Sequence, residues 1–321
     1  MLSRRLLRIK ALLVLYAFDR KKGDSLESAQ KELLLSLDKS YDLYHLLLLL
    51  IIEIVDVAEE MIDIARQKRI PTEEDLNPNT KLIDNRLVKQ LAANKQLKNY
   101  TNRKRLSWAE YSELPRRYLR LLKDASIYKN YMSSEKKGYS MDKKLIASLL
   151  NLILSESEYL ESVLEEKSVY WNDDLDFISV MVSKTIRQFR ETTTEDHRLM
   201  PMYRSDDDVV FVKTLLNKTI LHSEKLGEII DNNTTNWEIE RIALMDTLVM
   251  KLAITEIIEF PEIPVKVSLN EYIEISKFYC TSKSSTFVNG ILDKIVREMR
   301  LKEAFRKSGR GLVGEPGYRD T

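Results

Sequence analysis

Apolar residues recur along this chain at three- and four-residue intervals for almost its whole length. That period predicts helices nearly everywhere. Residues 3–20 carry the stripe Leu7, Ala11, Val14, Leu15 and Phe18, with Ser3 placed to cap the first turn. A second helix is expected over 25–39 and a third over 41–69. The third opens with the run Leu46–Ile52, apolar on most faces and so expected to be deeply buried. Ile70-Pro71 stops it, because the residue before a proline is driven out of the helical region. After the linker "PTEEDLNPNT", helices are expected over 80–103 and 108–132, the latter kinked or broken at Pro115. The loop "SSEKKGYS" leads to helices over 141–166 and 173–190. The polar stretch "RETTTEDHRLMPMYRSDDD" is a boundary, ending in an acidic cluster suited to a helix start. Helices then follow over 206–231, 236–259, 268–279 and 282–305, with a Gly-rich, disordered tail expected from Lys307.

One place resists the pattern. Asn289-Gly290 is a turn dipeptide, yet Phe287, Val288, Ile291, Leu292, Ile295 and Val296 around it keep helical spacing. Either Gly290 admits a closely approaching backbone and Asn289 bonds nearby main chain, or this turn of helix presents a functional surface.

Composition agrees with the pattern. The 321 residues include only 8 Gly and 7 Pro, too few breakers for strands and tight turns, so the fold class is all-α. The length suits one large or two modest domains, and the division expected is a helical N-terminal region over 1–198, a second helical domain over 199–306, and the tail 307–321. The single cysteine, Cys280, rules out an intrachain disulfide within the sequence and suits a reducing compartment. The N-terminal apolar stretch is interrupted by Arg8 and Lys10, unlike a signal peptide, and the Leu46–Ile52 run is too short to span a bilayer. A cytoplasmic protein with no membrane association is expected.

Catalytic chemistry finds no foothold. No P-loop, C-x-x-C, H-E-x-x-H or G-x-S-x-G occurs. His45, His197 and His222 lack metal-ligand spacing, and His45, heading an apolar run, reads as a core residue. The tail "GRGLVG", residues 309–314, spells G-x-G-x-x-G, but a helix rather than a strand precedes it and no helix follows to hold a pyrophosphate. No catalytic residue, metal or cofactor is expected.

The near-neutral formal charge of +1 hides an uneven distribution. Lys81–Lys129 holds thirteen Lys or Arg against four Asp or Glu, whereas Ser133–Ile178 has ten acidic residues against five basic. Tyr100, Trp108, Tyr111, Tyr118 and Tyr128 are interleaved with the basic residues. Cations with flat rings suit a nucleic-acid backbone and its bases. Arg103, Lys104, Arg105, Arg116, Arg117 and Arg120 form an extended RNA surface on this reading. The competing reading is that the basic and acidic segments pair within the fold.

Two stretches resemble a known family. "IPVKVSLNEYIEISK", residues 263–277, and "SSTFVNGILDK", residues 284–294, follow the pattern of the NusB family of transcription antitermination factors. "RRLLRIKALLVLY", residues 4–16, is similar to the family's arginine-rich start, with Arg4, Arg5, Arg8 and Tyr16 in the matching places. The resemblance covers residues 3–20 and about 200–305. Usual members are roughly half this length, so the middle is either a long insertion or a degenerate copy of the later half. The resemblance implies an all-helical domain that binds boxA-type RNA together with the small ribosomal protein NusE, in the transcription elongation complex. It implies phosphate contacts from Arg4, Arg5 and Arg8 at an exposed helix start, stacking on Tyr16 and Phe287, and hydrogen bonds from Ser284 and Asn289. It places Asp246 at the NusE contact. Lys283 departs from the family, several of whose members have an acidic residue there. Two other readings are a ribosome-assembly adaptor and the remnant of a NusB-domain ribosomal RNA methyltransferase. The latter needs a downstream cofactor domain and a catalytic cysteine, where this sequence ends on its NusB-like part and holds only Cys280.

Overall fold

The structure is a computed structural model, and it describes residues 1–22, 24–136, 138–234, 243–281 and 284–315. These residues form fifteen α-helices and no strand. Two compact units are present. One consists of Met1–Leu2 and Asp38–Met202, the other of Ser3–Leu37 and the chain from Tyr203 onward.

The N-terminal helix α1 (Arg4–Arg20) belongs to the second unit. Ser3 caps it as expected, its hydroxyl accepting the Leu6 amide at 3.2 Å. Helix α2 (Leu26–Arg66) corrects an expectation. It runs unbroken through 39–41, where two helices were expected. Within this continuous stretch the Ser40 hydroxyl donates to the Asp174 carboxylate at 2.6 Å.

In the first unit, α2 buries Leu43, Tyr44, Leu46–Leu48, Leu50, Ile51 and Ile54, the deep burial its sequence implies. The unit also contains α3 (Glu73–Leu76), α4 (Arg86–Ala93), α5 (Lys95–Lys104), α6 (Glu113–Asp124), α7 (Ser126–Ser133), α8 (Tyr139–Ser155), α9 (Glu158–Lys167) and α10 (Leu175–Gln188). Helix α8 packs against α4, α6, α7 and α10. Three expected long helices are each split in two. Asn94 starts α5 by accepting the Leu97 amide at 2.9 Å. The Glu156–Ser157 step separates α8 from α9, and Ala125 separates α6 from α7. Pro115 kinks nothing, since it sits in the first turn of α6, where the missing amide costs no helical bond.

The second unit is built around α13 (Leu244–Glu259), whose residues 248–250 and 252–257 are buried on all sides. A helix apolar all round must be enclosed. It is enclosed by α1, α11 (Asp206–Leu221), α12 (Ser223–Thr234), α14 (Val265–Tyr279) and α15 (Ser284–Leu301). The expected start of α13, over 236–242, lies outside the described residues, as does Lys283. Asn289-Gly290 is part of the continuous helix α15, as the spacing requires.

The tail corrects a second expectation. Residues 307–315 are held against the end of α13 rather than free. Lys307 Nζ donates to the carbonyls of Ile257 at 2.9 Å and Phe260 at 3.0 Å. Arg300 grips Glu315 with two bonds of 2.8 and 3.2 Å. Gly311 lies so close that a Cβ there would come 1.8 Å from the Pro261 carbonyl oxygen. The G-x-G-x-x-G stretch is therefore a packed turn, Gly309–Leu312, with no strand before it.

Candidate nucleic-acid interface

The arginine-rich start of α1 meets a carboxylate at every arginine. Arg4 Nε lies 3.1 Å from Asp208 Oδ1, and Arg5 forks onto Glu271 with two bonds of 2.9 Å. Arg8 forks onto Glu256 with two bonds of 2.7 Å. The first two side chains are about two-fifths exposed, at 40% and 39%, but that of Arg8 is only 4% exposed and that of Glu256 0%. The expectation of an exposed trio thus fails at Arg8, which points into the unit beside Phe211 and Tyr272. Burial disfavours its charge. The hydrogen bonds and attraction of Glu256 outweigh that cost, so its pKa is raised overall. Arg5 is raised too, first by its bonds to Glu271.

Glu256 is the hub of this buried network. Besides Arg8, it accepts the Ser268 hydroxyl at 2.8 Å and the Tyr272 hydroxyl at 3.0 Å. Four charge-assisted bonds meet one carboxylate, which is what a buried charge needs. Sequence reasoning passed over Glu256, Glu271 and Asp208 as partners of the arginines. One signal was present: a glutamate inside the apolar run "LAITEIIEF" has to find a cation.

At the other end of α13 lies a second polar cluster. Asp246, ten residues or about 15 Å along the helix from Glu256, is buried at 5% exposure. It accepts the Ser284 hydroxyl at 2.8 Å, which ties the first residue of α15 to α13. Cys280, half-buried nearby, has its thiol pKa raised by burial and by the Asp246 carboxylate. Ser284 is itself 4% exposed, so its hydroxyl serves the fold. Asp246, expected on a partner-binding surface, is buried.

Tyr16 is exposed at 37%. Phe287 and Asn289 are half-buried and lie roughly 200° apart around α15, flanking the exposed face that carries Thr286 and Gly290. Nothing lies within 4 Å of where a Gly290 Cβ would be. No part of the unit approaches it, so the space over this turn is open from outside.

The basic segment is only partly available. Trp108 and Tyr118 are fully buried at 0%, and Tyr100 nearly so at 8%. Trp108 donates its indole N–H to the Leu46 carbonyl at 2.9 Å, and Tyr100 its hydroxyl to Asp42 at 2.8 Å. These three rings are core, not stacking faces. Lys104 pairs with Asp38, and Arg116 with Glu60 at 3.0 Å, so their partners lie on α2 rather than in the acidic 133–178 segment. Arg103 and Arg117 stand over the rings of Tyr100 and Tyr159 at 5.3 and 5.6 Å. Arg105, with a left-handed φ of 53°, and Arg120 are exposed.

His45 is buried in unit one, stacked on Tyr100 at 3.7 Å, and burial pushes its pKa down to about 4. Among the described residues no cluster of metal-ligating side chains occurs, and no helix is long and apolar enough to cross a membrane.

An all-helical unit with an arginine-led first helix and an open glycine turn is the class of protein this fold defines. Residues 179–297 match the NusB family, so the chain carries a NusB-family domain. It is 43% identical over 104 residues to the transcription antitermination protein NusB of Salinibacter ruber, a stretch covering 32% of this chain and 65% of that one. It is 42% identical over 110 residues to the protein of the same name from Chloroherpeton thalassium, covering 34% of this chain and 52% of that one. With the Natranaerobius thermophilus protein of that name the identity is 36% over 89 residues, 28% of this chain and 64% of that one. The chain thus spans less than two thirds of the length of each of these relatives. No solved structure matches it.

Proposed function

We propose that this chain is a non-enzymatic, RNA-binding transcription antitermination factor. It acts with NusE on boxA-type leader RNA of ribosomal RNA operons, within the elongation complex. The observation that carries the reading is the family domain at residues 179–297, which contains the motif on α14 and α15.

Exposure and burial support the following roles within that reading. Arg4 and Arg5, partly exposed, contact phosphates. Arg8 holds α1 in place through Glu256 and contacts no RNA. A strand of RNA crosses the open turn over Gly290, with Phe287 stacking at one edge and Asn289 bonding at the other. Tyr16 offers a further stacking face. Asp246 affects NusE binding by fixing where α15 begins, through Ser284. The exposed Arg103, Arg105, Arg117 and Arg120 extend the RNA surface of the full chain, with Lys104 and Arg116 already engaged by α2.

Binding of boxA RNA to the full chain, with and without NusE, across a salt series, tests the reading. The Arg4→Ala/Arg5→Ala variant should bind more weakly. Its log–log salt slope should flatten by about 1.4, or about 0.7 for each single-strand phosphate that the variant no longer neutralises. Unchanged affinity and slope in the folded variant would remove these arginines from the site. RNA binding indifferent to both boxA sequence and NusE would favour the assembly-adaptor reading instead.

A further inference from the structure

The first unit carries a surface that the RNA reading leaves unused. The last turns of α2 place Ala58, Met61, Ile62 and Ala65 along one face, at the i, i+3, i+4, i+7 spacing of a stripe. Leu82 and Tyr128 face that stripe across an open groove of about 250 Å³. That volume falls below the ordinary range for a small-molecule or cofactor pocket, and suits one or two inserted side chains. Met61 in this stripe is exposed at 44%, and Ile64 on the same helix and Leu76, next to Asp75 on α3, are exposed at 56% and 55%. Single exposed apolar residues are normal, but a group of them beside a groove marks an interaction site.

The α2 and α3 side of the groove carries mostly negative charge. From Glu53 to Asp63, α2 carries five carboxylates and no Lys or Arg. Glu73, Glu74 and Asp75 follow on α3, with Glu74 and Asp75 lining the groove itself. Several are already neutralised: Glu60 by Arg116, Asp63 by Arg66 at 3.7 Å, and Asp75 by Lys68 at 2.9 Å. Asp56, Glu59, Glu73 and Glu74 have no ion-pair partner among the described residues. On the opposite wall Lys123 lines the groove, its Nζ 4.0 Å from Met61 Sδ.

We propose that this groove docks a basic amphipathic helix of a partner protein. One or two apolar side chains of that helix enter between α2 and the Leu82–Tyr128 wall, while its Lys or Arg residues meet Glu59 and Glu74. The apolar stripe supplies the anchor, and the unpaired carboxylates select the sign of the partner.

The test uses the full chain with its methionine methyl groups labelled for NMR. It is titrated with a helical peptide of about 15 residues made of Lys and Leu, the leucines at i, i+3, i+4, i+7 spacing. A Glu/Leu peptide of the same pattern serves as the counterpart, and Met61→Leu assigns the Met61 signal. The expected result is binding of the basic peptide alone, with the shift centred on Met61. Glu59→Gln/Glu74→Gln, both at exposed positions, should weaken it about tenfold, since charge pairs at an interface contribute on that scale. Equal binding of the acidic peptide, a Met61 signal that does not move, or undiminished binding to the double variant would each overturn the proposal. So would sedimentation showing that the chain dimerises through this face and that Met61→Asp makes it monomeric.

Discussion

Replacing Arg8 by Met probes the most demanding contact of the second unit. The substitution keeps much of the side-chain bulk but strips Glu256 of its counter-charge. Glu256 retains Ser268 and Tyr272 as donors, at 2.8 and 3.0 Å, but remains a carboxylate with no exposure to water. Breaking a buried pair on one side costs about 3–5 kcal/mol, because the remaining charge stays buried. For a unit of this size each kcal/mol moves the midpoint by about 2–4 °C, so the variant should melt about 6–20 °C earlier in that unit. The Arg8→Met/Glu256→Gln double variant removes both charges while leaving a carbonyl for Ser268 and Tyr272. It should recover most of the loss, giving a coupling energy of about 2 kcal/mol or more in a double-mutant cycle. Hydrogen exchange read by mass spectrometry in increasing denaturant follows α13 and α14 separately from the first unit. A loss of less than about 1 kcal/mol for Arg8→Met, the scale of an exposed pair, would refute the argument. So would a coupling energy near zero.

Two further expectations follow from single residues. Gly290→Ala meets open space and relieves a glycine inside a helix, so it should stabilise the chain by about 0.5–1 kcal/mol. The same methyl group should weaken boxA RNA binding if RNA crosses that turn, and titration alongside denaturation checks both signs. His45 has its folded pKa pushed down to about 4 from 6.5. As pH falls from 6.5 towards 4 the unfolded chain takes up a proton that the folded one refuses, so stability drops across that window and the loss is complete below it. The full shift corresponds to about 3 kcal/mol. His45→Gln, compared with the parent by denaturation at pH 7, 5.5 and 4.5, should lose most of this slope, and an identical slope would count against it.

The helical class, the Ser3 cap and the helical reading of Asn289-Gly290 were legible in the sequence, because each depends on residues within a turn or two of one another, whereas the breaks at Asn94, Ala125 and Glu156 were not. Ser3 caps α1 and the spacing from Phe287 to Val296 makes α15, whatever lies opposite. The family motif was legible for the same reason, as contiguous residues on two neighbouring helices. Tertiary structure alone decided which charged and aromatic side chains face water. Arg4 and Arg8 are one helical turn apart with the same chemistry, yet Arg4 lies at the surface and Arg8 inside, because Glu256, 248 positions away, waits on the helix packed against it. Trp108 and Tyr118 share a basic stretch with Arg103 and Arg120, and only the packing of their unit shows that the rings are core and those two cations are not. The tail shows the same limit: its glycines predict freedom, but the Pro261 carbonyl beside Gly311 leaves room for no other side chain and so for a close dock. Local periodicity fixes which face of a helix is apolar. Which polar groups are buried with that face depends on the partner helix, since only a complementary charge from elsewhere in the chain offsets the cost of leaving water.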